Sequence, residues 1–90
     1  MLTFTHYQIE YTREAVKALK VMPRNVSLQI RGKIELLAAD PFAANNNVRK
    51  LVGREGYRLR VGDWRVIYEI EGERLVIHVL TVAPRGGAYQ

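Results

Sequence analysis

The chain contains no cysteine among its 90 residues. That excludes a disulfide scaffold, a thiolate zinc site and a cysteine nucleophile. Its two histidines, His6 and His78, lie far apart and show no HExxH-like spacing, so neither starts a zinc site without carboxylate help. No apolar run approaches the roughly 20 residues that span a bilayer. The first ten residues, Met1 to Glu10, are polar and alternating, unlike a signal peptide. The Rossmann, P-loop and nucleophile-elbow glycine patterns are missing. So are repeats, low-complexity tracts and linkers. These absences predict a small, soluble, cytoplasmic protein built as one domain over residues 1–90, with no metal and no cofactor. A chain this short builds one modest core, burying about 60–65% of its unfolded surface.

What the chain has in excess is arginine: 10 Arg against 4 Lys, within a net charge of +5. The excess is local. Residues 49–65 carry Arg49, Lys50, Arg54, Arg58, Arg60 and Arg65 against Glu55 and Asp63, a balance of +4, whereas residues 66–90 balance to −1. A compact arginine patch points to a polyanionic partner: RNA, DNA or an acidic peptide. Guanidinium forks favour phosphate or carboxylate held by paired hydrogen bonds.

The pattern predicts a β-α-α-β-β-β order. Thr3 to Ile9 alternates and reads as a strand. Thr12 suits a helix N-cap, with Glu14 in the favourable first turn and Ala15, Val16 and Leu19 as a short apolar face. Pro23 suits the start of a second helix. Val26, Ile30, Ile34 and Leu37 form its stripe. Asp40-Pro41 ends it, because the residue before proline leaves the helical region. Gly32 costs this helix about 1 kcal/mol against alanine, which close packing on a neighbour would justify. Pro41 to Asn47, with three consecutive asparagines, reads as loop, and Arg49 to Gly56 as irregular chain. Tyr57–Val61 and Trp64–Ile70 then alternate about a Gly62-Asp63 turn, a hairpin signal. Glu71-Gly72-Glu73 makes a second turn. Leu75–Val82, nearly all apolar, fits a central strand covered on both faces. The resulting class is α+β: a two-helix hairpin packed on one face of a small, mainly antiparallel sheet.

A two-residue turn sets the hairpin register: Val61 opposite Trp64, Arg60 opposite Arg65, Leu59 opposite Val66, Arg58 opposite Ile67, Tyr57 opposite Tyr68. Alternation then puts Arg58, Arg60 and Arg65 on one side and the apolar partners on the side facing the helices. Like charges directly opposite destabilise by roughly 0.2–1 kcal/mol, a cost that a bound anion removes. Arg85 follows the last strand, and Tyr89 lies four residues on, so a turn would put both on one side. Together these residues can clamp a phosphodiester, with the tyrosine free to stack a base. His78 reads as a packed core or sheet-face residue and His6 as structural or surface. Glu69, Glu71 and Glu73 read as ordinary acids at a turn.

The run Lys50-Leu51-Val52-Gly53, followed by Tyr57-Arg58-Leu59-Arg60-Val61-Gly62-Asp63-Trp64-Arg65-Val66-Ile67-Tyr68-Glu69-Ile70, resembles the signature of RelE toxins in the RelE/ParE superfamily. Leu80-Thr81-Val82-Ala83-Pro84-Arg85 and Tyr89 resemble its last strand and tail. The resemblance implies a toxin encoded with an antitoxin, a ribosome-dependent mRNA endonuclease acting in the A site of the 70S ribosome. In such toxins the RNA 2′-hydroxyl attacks the adjacent phosphate, leaving a cyclic phosphate and a free 5′-hydroxyl. It assigns Arg65 to the scissile phosphate, and Arg58 and Arg60 to strand positions where such toxins most often carry lysine. Arg85 and Tyr89 fall on the arginine and tyrosine that follow the last strand. Arginine does not deprotonate near neutral pH, so the base role passes to Tyr89 or to a ribosomal group. Arg49, Lys50 and Arg54 are expected to bind RNA phosphates from flexible chain. Two rival readings remain: a ParE-like inhibitor of DNA gyrase, and a noncatalytic module binding nucleic acid or an acidic peptide.

Overall fold

The computed structural model describes residues 6–84. Among them, two helices lie against a five-stranded sheet: β1 (Gln8–Tyr11), α1 (Arg13–Val21), α2 (Arg24–Ala39), β2 (Val48–Lys50), β3 (Tyr57–Val61), β4 (Trp64–Glu71) and β5 (Val76–Pro84). The strand order is β1-β5-β4-β3-β2. β1 runs parallel to β5, and the other neighbours are antiparallel. The α+β class and the helix pair on a sheet stand as expected, with one strand more than the sequence pattern shows.

Thr12 joins strand to helix without a loop. Its N–H donates to the Val79 carbonyl at 3.0 Å, continuing the ladder. Its hydroxyl accepts from the Ala15 N–H at 3.1 Å, capping α1, and donates to the Leu80 carbonyl at 2.7 Å. The first strand is therefore later than its alternation indicates: it runs to Tyr11, where pairing with β5 hands over to the cap. Thr3 to Thr5 lie outside the described residues. Met22 and Pro23 alone separate the helices. Pro23 is the N-cap of α2 rather than its first turn residue, and its carbonyl accepts from the Ser27 N–H at 3.0 Å.

The core forms where the helix stripes meet one sheet face. Ala15 and Leu19 of α1 and Ile30, Ile34 and Leu37 of α2 pack against Leu59, Val61, Val66, Tyr68, Ile77, Val79 and Val82. Burying each large aliphatic side chain contributes about 1.5–3 kcal/mol. Gly32 does not pack closely on anything: a Cβ added there meets no atom within 4 Å. Gly56, by contrast, has φ +113°, and an added Cβ would stand 2.9 Å from the Tyr68 carbonyl oxygen.

Three further expectations change. Arg49 is not in irregular chain: β2 pairs with β3 through Val48–Leu59, Arg49–Arg58 and Lys50–Tyr57. A three-residue edge strand is too short to show alternation, and the free edge of β3 recruits it. Leu75 belongs to the turn, not to the last strand, and holds a left-handed φ of 57°. β5 is not covered equally on both faces: Ile77, Val79 and Val82 are buried on the helix side, whereas on the other side Val76 is buried but His78, Thr81 and Ala83 are only half-buried. A register shift between Ile67 and Tyr68 leaves Leu80 as a bulge and keeps both Val79 and Val82 on the helix side.

Candidate functional site

The β3–β4 register is the one the turn dictates: Arg60 pairs with Arg65, Arg58 with Ile67, and Val61 with Trp64. Gly62 takes φ 57° while Asp63 does not go positive, the φ pattern of a II′ turn. Leu59, Val61, Val66 and Tyr68 are in the core, so alternation turns Arg58, Arg60 and Arg65 to the face away from the helices. β2 adds Arg49 directly opposite Arg58 on that face. Three adjacent strands thus present four arginines.

Their surroundings differ. Arg49 and Arg60 are exposed and Arg58 is half-buried. Arg65 is only 7% exposed, and its Nε and Nη1 are shielded from solvent. Ile67, two residues along β4, is also buried on this side. Arg65 thus faces away from the helix core, as the alternation predicts, yet it is enclosed. An enclosed guanidinium meets an anion under weaker solvent screening, where each charge-assisted hydrogen bond counts for more.

The structure does not bring every expected residue to this group. Lys50 pairs with Tyr57 and has the opposite alternation from Arg49. Arg54 lies in the connection between β2 and β3, at the end of that hairpin away from the Gly62-Asp63 turn. Arg85 and Tyr89 lie outside the described residues. Asn46 and Asn47, to which the sequence pattern assigned nothing, line a recess of about 60 Å³ together with Arg49, Arg58 and Arg60. Their signal was the asparagine triplet, legible as a turn but silent about what it flanks.

The other half of the same face is acidic. His78 pairs with Glu69 across the strands. Its Nε2 lies 2.8 Å from Glu71 Oε1, and its Nδ1 lies 3.4 Å from Glu10 Oε1. Arg74 donates to both Glu71 oxygens, at 2.6 and 2.9 Å. The Arg74 hydrogen bond first, and the His78 contact second, hold the Glu71 carboxyl down at about 2. His78 is thus a sheet-face residue, as expected, and Glu71 is more than an ordinary turn acid. Among the described residues no cluster of three His, Cys, Asp or Glu side chains is placed to hold a metal ion. Tyr68, stacked on Tyr57 at 5.5 Å, faces the core, and burial followed by the Tyr57 charge pushes its hydroxyl up to about 12. Neither it nor the donor-only arginines serve as a base at neutral pH. The described part of the face offers donors to an anion and no base among these groups.

A five-stranded mixed sheet carrying a helix pair on one face is also the architecture of solved toxins. The chain superposes on the archaeal RelE of a RelE–RelB complex from Pyrococcus horikoshii OT3 with TM-score 0.77 and 32% identity, covering 92% of this chain and 99% of that one. The isolated E. coli RelE toxin shares the fold at TM-score 0.76 and 21% identity, over 92% and 88% of the two chains. A Methanocaldococcus jannaschii protein described as a candidate toxin RelE1 is 28% identical over 86 residues, 93% of this chain and 96% of that protein. The family model for the ParE toxin of the type II toxin-antitoxin system parDE matches residues 9–89. The chain belongs to this toxin family, within the RelE/ParE group.

Proposed function

We propose that this protein is a ribosome-dependent mRNA endonuclease held in check by a cognate antitoxin. The observation that carries this reading is the Arg60–Arg65 cross-strand pair, which sets an enclosed guanidinium beside an exposed one on the sheet face opposite α1 and α2. In the proposed mechanism, an mRNA phosphodiester in the A site of the 70S ribosome lies along this face. Arg65 holds the scissile phosphate through its fork, and Arg58, Arg60 and Arg85 stabilise the charge that builds on the phosphoryl oxygens. The RNA 2′-hydroxyl attacks the phosphorus and the 5′-oxygen leaves, giving a cyclic phosphate and a free 5′-hydroxyl. Tyr89 or a ribosomal group takes the 2′-proton. Arg49, Lys50 and Arg54 contact RNA phosphates outside the reacting centre. No metal or cofactor enters the scheme.

The antitoxin is inferred from the RelE–RelB complex of the Pyrococcus relative. An acidic segment over the arginine face would block the RNA. The test is single-turnover cleavage of mRNA on programmed ribosomes. Arg65→Lys keeps the charge in the enclosed position and loses the fork, so it should slow cleavage by roughly 10²–10³-fold, the scale of one lost transition-state donor. A folded Arg65→Lys protein that cuts at the wild-type rate removes the assignment. The ParE description of the matching family favours a second reading, inhibition of DNA gyrase. Following translation and DNA supercoiling separately after induction distinguishes the two.

A further inference from the structure

We infer that the recess at the β2 end of the arginine face is a second phosphate site, which holds the phosphodiester next to the scissile one and so sets which bond reaches Arg65. The inference rests on the reading that this face takes RNA.

The recess is built, not incidental. The Asn45 side chain accepts from the Asn47 N–H at 2.9 Å, and the Asn45 carbonyl accepts from the Val48 N–H at 3.1 Å. This turn fixes Asn46 and Asn47 ahead of β2. The Arg60 N–H then donates to the Asn47 carbonyl at 2.8 Å, extending the β2–β3 ladder and seating the asparagines beside Arg60. Asn46, Asn47, Arg49, Arg58 and Arg60 are the lining, and no carboxylate is among them. Arg49 and Arg60 make no ion pair among the described residues; Arg49 donates only to its neighbour's carbonyl, Val48, at 3.3 Å.

The size selects the ligand class. About 60 Å³ admits a few waters or one small tetrahedral anion, and is too small to enclose a nucleobase. Guanidinium forks and amide N–H₂ groups all donate, which suits phosphate oxygens that only accept. The position selects the phosphate. Arg60 lines the recess and pairs directly with Arg65 of β4, so the recess adjoins the Arg65 position. Arg65 and the recess can therefore hold successive phosphates of one strand, with Arg60 shared between the two positions.

The test uses the full chain and a short 2′-O-methyl RNA, which cannot be cut by 2′ attack. One phosphate at a time is replaced by a neutral methylphosphonate, and binding is followed by fluorescence anisotropy. Neutralising one particular phosphate should weaken wild-type binding roughly tenfold, the scale of one charge-assisted hydrogen bond. Arg49→Gln should weaken binding by a similar factor and then be insensitive at that position alone. Equal sensitivity of both proteins at every position overturns the site. So does an Arg49→Gln protein that binds RNA like wild type but has lost antitoxin affinity, which would give the recess to a protein carboxylate. On programmed ribosomes with cleavable RNA, Arg49→Gln should raise KM roughly tenfold with kcat kept, and Asn47→Ala should act in the same direction. Position-specific coupling without cleavage upholds the phosphate site and removes the nuclease reading. Cleavage without coupling does the reverse.

Discussion

A buried arginine and a salt-linked glutamate carry opposite lessons at the scale of single residues. Arg65 is enclosed although it faces away from the helices. Replacing it with alanine deletes packed volume as well as charge, so Arg65→Lys separates catalytic loss from instability more cleanly, with circular dichroism as the folding control. Glu71 carries a pH prediction. Its carboxyl is lowered from 4.5 to about 2, first by the Arg74 hydrogen bond and then by His78. A depressed folded value means that its stabilisation is complete above the unfolded value and fades as pH falls from about 4.5 toward 2. Urea titrations across that range should show Glu71→Gln losing less stability on acidification than wild type. An equally steep acid limb in both proteins would show that the linkage lies elsewhere.

The elements answer to backbone freedom. Gly32 sits in the interior of α2 with open space where a Cβ would go. Gly32→Ala should therefore stabilise the protein by about 0.5–1 kcal/mol through helix propensity and a less free unfolded chain. Thermal melting checks this, and an unchanged or lower midpoint would reveal a role for the glycine that the helix surface does not show. Gly56 is the opposite case. Its φ of +113° and the 2.9 Å approach to the Tyr68 carbonyl let the β2–β3 connection pass against β4. Gly56→Ala must strain the backbone or shift the strand, at a cost of roughly 1–3 kcal/mol. Because that connection also delivers Arg58 to the face, the variant should lose activity before it unfolds, seen as reduced cleavage at temperatures where the far-ultraviolet spectrum is still native.

Over the whole molecule, charge is sorted along one sheet face. Arg49, Arg58, Arg60 and Arg65 occupy β2, β3 and the start of β4, whereas Glu69 and Glu71 at the far end of β4 lie beside His78 of β5 and Glu10 of β1. A polyanion approaching this face is oriented before contact, its phosphates drawn to one end and repelled from the other. Ribosome binding should accordingly weaken steeply with salt. Each lost phosphate contact lowers the slope of log K against log salt by about one unit, so the triple alanine variant of Arg49, Lys50 and Arg54 should lose up to about three. Wild-type slope in that variant would assign these cations to solubility. Among the described residues no helix is long and apolar enough to cross a membrane.

The sequence by itself determined whatever depends on neighbours within a few positions. The Gly62-Asp63 turn and the alternation around it sufficed to place Arg60 against Arg65, because a two-residue loop leaves one register. The spacing of Ile30, Ile34 and Leu37 sufficed for the buried stripe of α2, and Thr12 for the start of α1. Tertiary structure decided the rest, because the partners are distant in the chain. β2 exists because β3 offers an open edge, and only that pairing brings Arg49 and the asparagines to the arginine face. The Leu80 bulge answers to β4, and its carbonyl to a hydroxyl 68 positions earlier at Thr12. The hold on Glu71 combines a local arginine with a histidine on the neighbouring strand, and that histidine also meets Glu10 of β1. The enclosure of Arg65 has the same origin: alternation tells which face a side chain takes, but only the folded chain tells whether that face is covered.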